Sequence, residues 1–209
     1  MAVWRFVDFF VPQAQRLADL TGVQYDLQMV EHQCEMILPM MESESLENMR
    51  LREALCISAI TSYGRTFVSG VRSGVTREQL DRLEAGLQDK HVYFKDLRDK
   101  WIAHSVNAFE DNRVCAYLVP EERGERAVAS ISVQQHRVLT LSGLDIVALQ
   151  DLASSLRKIV EADIAVENQK VLAYARSLPV DQFYAATATP PAVPGTADAR
   201  RSRRRYSGS

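Results

Sequence analysis

Apolar positions recur every three to four residues along most of this chain, the interval of an amphipathic helix. After Pro12 the pattern runs through Leu17 and Leu20, and a break is expected near Thr21 and Gly22. It resumes at Leu27, Val30, Cys34, Ile37 and Leu38, then stops at Pro39 and the acidic turn Glu42-Ser43-Glu44-Ser45. A second helix is expected from about Leu46 to Ser69, carrying Leu55, Ile57, Ile60, Tyr63 and Phe67, with Gly70 suited to end it. Thr76 followed by Gln79 has the form of a capping box. It opens a helix whose Leu80, Leu83 and Leu87 face inward, with a break around Asp89. From Ser142-Gly143-Leu144-Asp145 a last, long helix carries Leu149, Leu152, Leu156, Val160, Ile164 and Val171 at helical spacing up to Leu178.

Between Asp111 and Leu141 the period changes to alternation. Residues 113–119, 126–133 and 137–141 are β-prone and separated by Pro120-Glu121-Glu122-Arg123-Gly124 and by polar residues, which predicts a small antiparallel meander. The expected fold is therefore mainly α, a helical bundle with a β-meander at about 113–141 inserted before the last long helix. One domain should span 1–186. From Thr187 the prolines and small residues cannot build a core, so 187–209 is expected to be a disordered tail rich in arginine.

Charge refines this picture. The tail holds Arg200, Arg201, Arg203, Arg204 and Arg205, five of the 25 basic residues, which leaves 20 against 27 acids, or −7, for the rest. A mildly acidic body argues against a broad nucleic-acid surface. RNA binding would have to rest on a local patch around Arg65, Arg72, Arg98 and Lys100, with or without the tail. The first eleven residues are apolar but interrupted by Arg5 and Asp8, too short to span a bilayer and unlike a signal peptide; they read as a packing segment or short helix. Cys34, Cys56 and Cys115 are far apart and odd in number, which points to reduced thiols in a cytoplasmic protein. Cys34 follows His32 without a second ligand pair, and His91 and His136 complete no metal-ligand spacing, so no metal or other cofactor is expected. Phosphate loops, His-Glu-x-x-His and Gly-x-Ser-x-Gly are absent from the sequence.

The chemistry concentrates in Leu97-Arg98-Asp99-Lys100-Trp101-Ile102-Ala103-His104-Ser105. Arg98 carries a permanent cation suited to a phosphate or to developing negative charge. His104 carries the side chain that titrates nearest neutrality and can take and return a proton. Phe94, Leu97, Trp101 and His104 follow a 3-4-3 spacing, so His104 ends an apolar stripe with Arg98 at its flank. Ser105 adjoins His104 but points about 100° away on a helix, which argues against a hydrolase nucleophile.

Arg98 and His104, separated by five residues, resemble the Arg-(four to six residues)-His motif of the HEPN superfamily, with Asp99 where that family commonly has a polar residue. The run Ser62-Tyr63-Gly64-Arg65-Thr66-Phe67, with Gly70 and Arg72, is similar to the preceding helix of HEPN-like proteins related to the abortive-infection group. The resemblance covers roughly residues 45–110. It implies a HEPN-like helical bundle, usually a homodimer with two motifs facing each other, and in many members a metal-independent ribonuclease acting as a toxin or antiviral defence effector. On that pattern Arg98, Asp99 and His104 are the catalytic residues, Arg65, Lys100 and Ser105 contact substrate, RNA is the partner, and an antitoxin or inhibitor protein accompanies the chain. The residues leave a second class open: a non-catalytic module for protein interaction or nucleotide binding, with the same polar set at a dimer seam.

Overall fold

The computed structural model describes residues 6–43, 45–67, 70–103, 110–124, 126–138, 140–186 and 193–202. Helix α1 (Gln15–Ile37) lies against the long α5 (Gly143–Ser177) on one side and α2 (Leu46–Arg65) on the other. Two shorter helices, α3 (Arg77–Asp81) and α4 (Ala85–Leu97), close the bundle, and α6 (Val180–Ala185) follows α5. Strands β1 (Glu110–Leu118) and β2 (Val128–Arg137) form an antiparallel pair between α4 and α5. The fold is mainly α with a small β insertion, in agreement with the periodicity.

The core is the sum of the helical stripes. Val23, Leu27, Val30 and Ile37 of α1 are fully buried with Ile60 and Tyr63 of α2, Phe94 of α4, and Ile146, Leu149, Leu152 and Leu156 of α5. Burying each such side chain stabilises the fold by roughly 1.5–3 kcal/mol before entropy is counted. Polar bridges fix the registers. Arg157 of α5 donates to Glu31 at 2.6 Å, Gln24 to Glu161 at 3.0 Å, and Gln33 to Ser58 of α2 at 2.7 Å. Among the described residues no helix is long and apolar enough to cross a membrane.

Helix boundaries depart from the sequence pattern in three places, and the meander in a fourth. No break occurs at Thr21 and Gly22: α1 runs through, because Leu20 and Val23 are both buried and the Thr21 hydroxyl bonds back to the Leu17 carbonyl at 2.9 Å. Helix α2 stops at Arg65, short of Ser69, where the Thr66 hydroxyl takes the Tyr63 carbonyl at 2.7 Å and the Thr66 carbonyl accepts from Val75 N–H at 2.8 Å. The break expected at Asp89 falls earlier, at residues 82–84, after the Thr76–Gln79 capping box that the sequence announces. Among the described residues the meander has two strands where three were expected: Arg137 pairs with Glu110, so residues 134–137 extend β2. Leu141, expected at the end of a third strand, instead turns into the core at 3% exposure.

In the hairpin Val114 pairs with Val133 and Ala116 with Ile131, so one face is apolar. Yet Val114, Leu118, Val128, Ile131 and Val133 are all exposed. Of the N-terminal segment, Phe9 packs on the bundle, 6.1 Å from Tyr174 of α5 and 5.5 Å from Phe183 of α6, ring centre to ring centre, while Phe6 and Phe10 are exposed and residues 1–5 lie outside the described part. In the tail, the described residues include a short turn at Thr196–Arg200, held by the Asp198 carboxylate on the Gly195 N–H; residues 187–192 and 203–209 lie outside the described part.

Candidate functional site

The contact between α2 and α4 places the Arg98 region. Tyr63 is fully buried, edge-on to Phe94, and its hydroxyl lies 2.8 Å from Nδ1 of His91. Phe67 stacks obliquely on the same imidazole, ring centres 4.6 Å apart. Burial, with the Lys95 and Arg77 charges, lowers the His91 pKa, so its ring is neutral near neutral pH. Burial also pushes the Tyr63 hydroxyl well above its usual range, which keeps it protonated.

Beyond Leu97 the helix widens into a π-turn, Arg98–Ile102, closed by the Ala103 N–H on the Arg98 carbonyl at 3.0 Å. Such turns add one residue to a helix and are frequent at functional sites. The stripe continues through it, since Phe94, Leu97 and Trp101 are all buried. Arg98 leaves the turn across α2 at Gly64: a Cβ there would stand 2.6 Å from Arg98 Cγ and 3.0 Å from Cδ. Glycine is thus what admits the arginine stem.

The guanidinium at the end of that stem is half-exposed, and its Nη1 donates to Asp99 Oδ1 at 2.8 Å. Lys95 donates to the other Asp99 oxygen, also at 2.8 Å. The hydrogen bond from Lys95, then that from Arg98, holds the Asp99 carboxyl below its usual pKa. Arg98 and Asp99 are therefore brought together as the sequence suggests, with Asp99 orienting the cation. Lys100 is directed elsewhere, to Asp96 at 2.8 Å. Arg65 adjoins Gly64 in sequence, but its guanidinium faces Asp26 of α1 at 3.5 Å and not Arg98. His104 and Ser105 lie outside the described residues.

Four participants were not legible as such in the sequence: Gly64, Lys95, and the Tyr63–His91 pair. His91 had a signal, because it precedes Arg98 by seven residues and so shares its helix face. Lys95, four before Asp99, is an ordinary helical ion-pair spacing. Asp26, buried on α1, gave none. Among the described residues no group of three or more His, Cys, Asp or Glu side chains is placed to hold a metal ion. Comparison with known proteins finds no family model, curated protein or solved structure that matches the chain.

Proposed function

We propose that this chain is a HEPN-type RNA endonuclease that works without a metal ion. The observation that carries the proposal is the presentation of Arg98: a half-exposed guanidinium at a π-turn, its stem braced on Gly64 and one nitrogen held by Asp99. A cation fixed in this way stabilises charge developing on a phosphate without reorganising during reaction. His104, two residues beyond the turn, takes the proton of a ribose 2′-hydroxyl. The 2′-oxygen attacks the adjacent phosphorus, the bond to the 5′-oxygen breaks, and that oxygen leaves with a proton, giving a 2′,3′-cyclic phosphate and a 5′-hydroxyl. Ser105 contacts the substrate, a homodimer places two motifs in one cleft, and toxin or defence activity under an antitoxin or inhibitor protein is the setting the family resemblance supplies. The site belongs in the cytoplasm, in keeping with three thiols free of disulfides.

Two observations favour the non-catalytic module instead. Asp99 is shared by Arg98 and Lys95, and the body carries a net negative charge, which together describe a self-satisfied polar network. A single comparison separates the two. Wild type should cut single-stranded RNA in the presence of a chelator and slow growth on expression. His104→Ala and Arg98→Ala should each reduce cleavage by about 10²-fold or more with unchanged melting temperature. RNA left intact by wild type, or cut equally by His104→Ala, overturns the nuclease and leaves the module.

A further inference from the structure

On the far side of Arg65, α1 and the segment after α2 build a second cationic feature. Asp26 of α1 is buried, and Arg72 Nη2 donates to its Oδ2 at 2.6 Å while also reaching the Arg65 carbonyl at 2.8 Å. Arg65 Nη2 stands 3.5 Å from the other Asp26 oxygen, beyond a good hydrogen bond, and the Arg65 side chain is 63% exposed. Asp19, two turns earlier on α1, is also buried and accepts from the Ser73 N–H at 3.0 Å and from Gln15 at 2.8 Å. The carboxylates therefore lie beneath, and they fix the segment that carries Arg72. Above them opens a cavity of about 230 Å³ lined by Arg65, Gly70, Val71 and Arg72. Nothing lies within 4 Å of where a Gly70 Cβ would project, so the backbone there is approachable.

We infer that this cleft is a phosphate-binding site, distinct from the Arg98 motif, and that it seats a neighbouring phosphate of the bound RNA strand. Arg65 and Arg72 line it, the Arg65 guanidinium largely exposed and only loosely held, and a guanidinium fork matches a phosphate, while the acids that balance the two do not line it. Its volume falls below the roughly 300–1,000 Å³ of pockets that enclose whole small molecules, so it suits a single charged group on a longer ligand. Its place is apt: Arg65 follows Gly64, the residue against which Arg98 lies, so two cationic stations flank the end of α2 on adjacent faces. The choice of RNA rests on the nuclease reading above; the phosphate chemistry does not.

The test uses the full chain and two probes, inorganic phosphate followed by amide chemical shifts, and a short 2′-O-methyl oligoribonucleotide, which cannot be cut, followed by fluorescence anisotropy. Phosphate should shift amides 70–72. Arg65→Gln and Val71→Glu, which leave the Arg72–Asp26 pair in place, should abolish those shifts and weaken the oligonucleotide about tenfold. Phosphate shifts at 70–72 in a protein that cuts no RNA uphold the cleft and sink only the nuclease. Cleavage by wild type, with both variants binding both probes as wild type does, overturns the cleft and leaves the nuclease standing. Phosphate shifts centred elsewhere also overturn it.

Discussion

A methyl group at position 64 would collide with the stem of Arg98 while improving the helix that carries it. Alanine is favoured over glycine inside a helix by about 0.8–1.0 kcal/mol, so Gly64→Ala should cost little stability or none. Its Cβ, 2.6 Å from Arg98 Cγ, must displace the arginine from its track. The expected variant melts within a few degrees of wild type yet loses RNA cleavage as Arg98→Ala does. Wild-type cleavage by Gly64→Ala would show that Arg98 acts from another position. Cys34 makes a second case in which one side chain is set by its surroundings. It is fully buried, and burial, then the proximity of Cys56, pushes its pKa from 9.0 to about 12. The folded state therefore holds this proton more tightly than the unfolded chain. The resulting stability is complete below about pH 9 and is lost as pH rises towards 12, with a slope of up to about 1.4 kcal/mol per unit for this thiol. Cys56 shifts in the same direction, also chiefly by burial. Denaturant midpoints should be level from pH 7 to 8.5 and fall above pH 9; a midpoint that stays level to pH 10.5 would contradict the burial argument.

At the scale of elements, the hairpin is the part least anchored. No described side chain of β1 or β2 is buried, on either face, and an isolated two-stranded pair is marginal in water. Its amides should exchange with deuterium orders of magnitude faster than those at the centres of α1 and α5, which open only with the whole fold. Mass-spectrometric exchange checks this, and equal protection of hairpin and helices would contradict it. What the sequence revealed at this scale follows from which forces are local. Periodicity located the helices because Leu27, Val30 and Ile37, or Leu149, Leu152 and Leu156, must face one core. The Thr76–Gln79 cap was legible because both partners lie three residues apart. The end of α2 was not, since it depends on Val75 reaching back to the Thr66 carbonyl. The third strand failed for a related reason: Leu141 has a β-prone neighbourhood, but a place in the core outweighs it. At the site, Arg98 and Asp99 were visible as adjacent residues, whereas Gly64 and the Asp26–Arg72 pair make contacts between segments distant in the chain that no spacing encodes.

For the whole molecule, the decisive asymmetry is one of length. Helix α5 has 35 residues against 23 in α1, so at 1.5 Å per residue it is longer by roughly 18 Å. The 3-10 turns Pro12–Ala14 and Leu38–Glu42, at the two ends of α1, occupy the surplus. Helix α5 also meets α3 and α4, where Asp163 accepts from Gln79 at 2.6 Å and from Arg82 at 2.7 Å. Helix α1 is thus matched to a long helix made much later, through pairs such as Gln24–Glu161 that are 137 positions apart. Helical proteins usually assemble quickly from neighbours in the chain, and distant pairing slows that assembly. During synthesis α1 must therefore wait, one apolar stripe uncovered, until residue 177 has emerged, and that interval is when a nascent chain of this kind most needs shielding from aggregation.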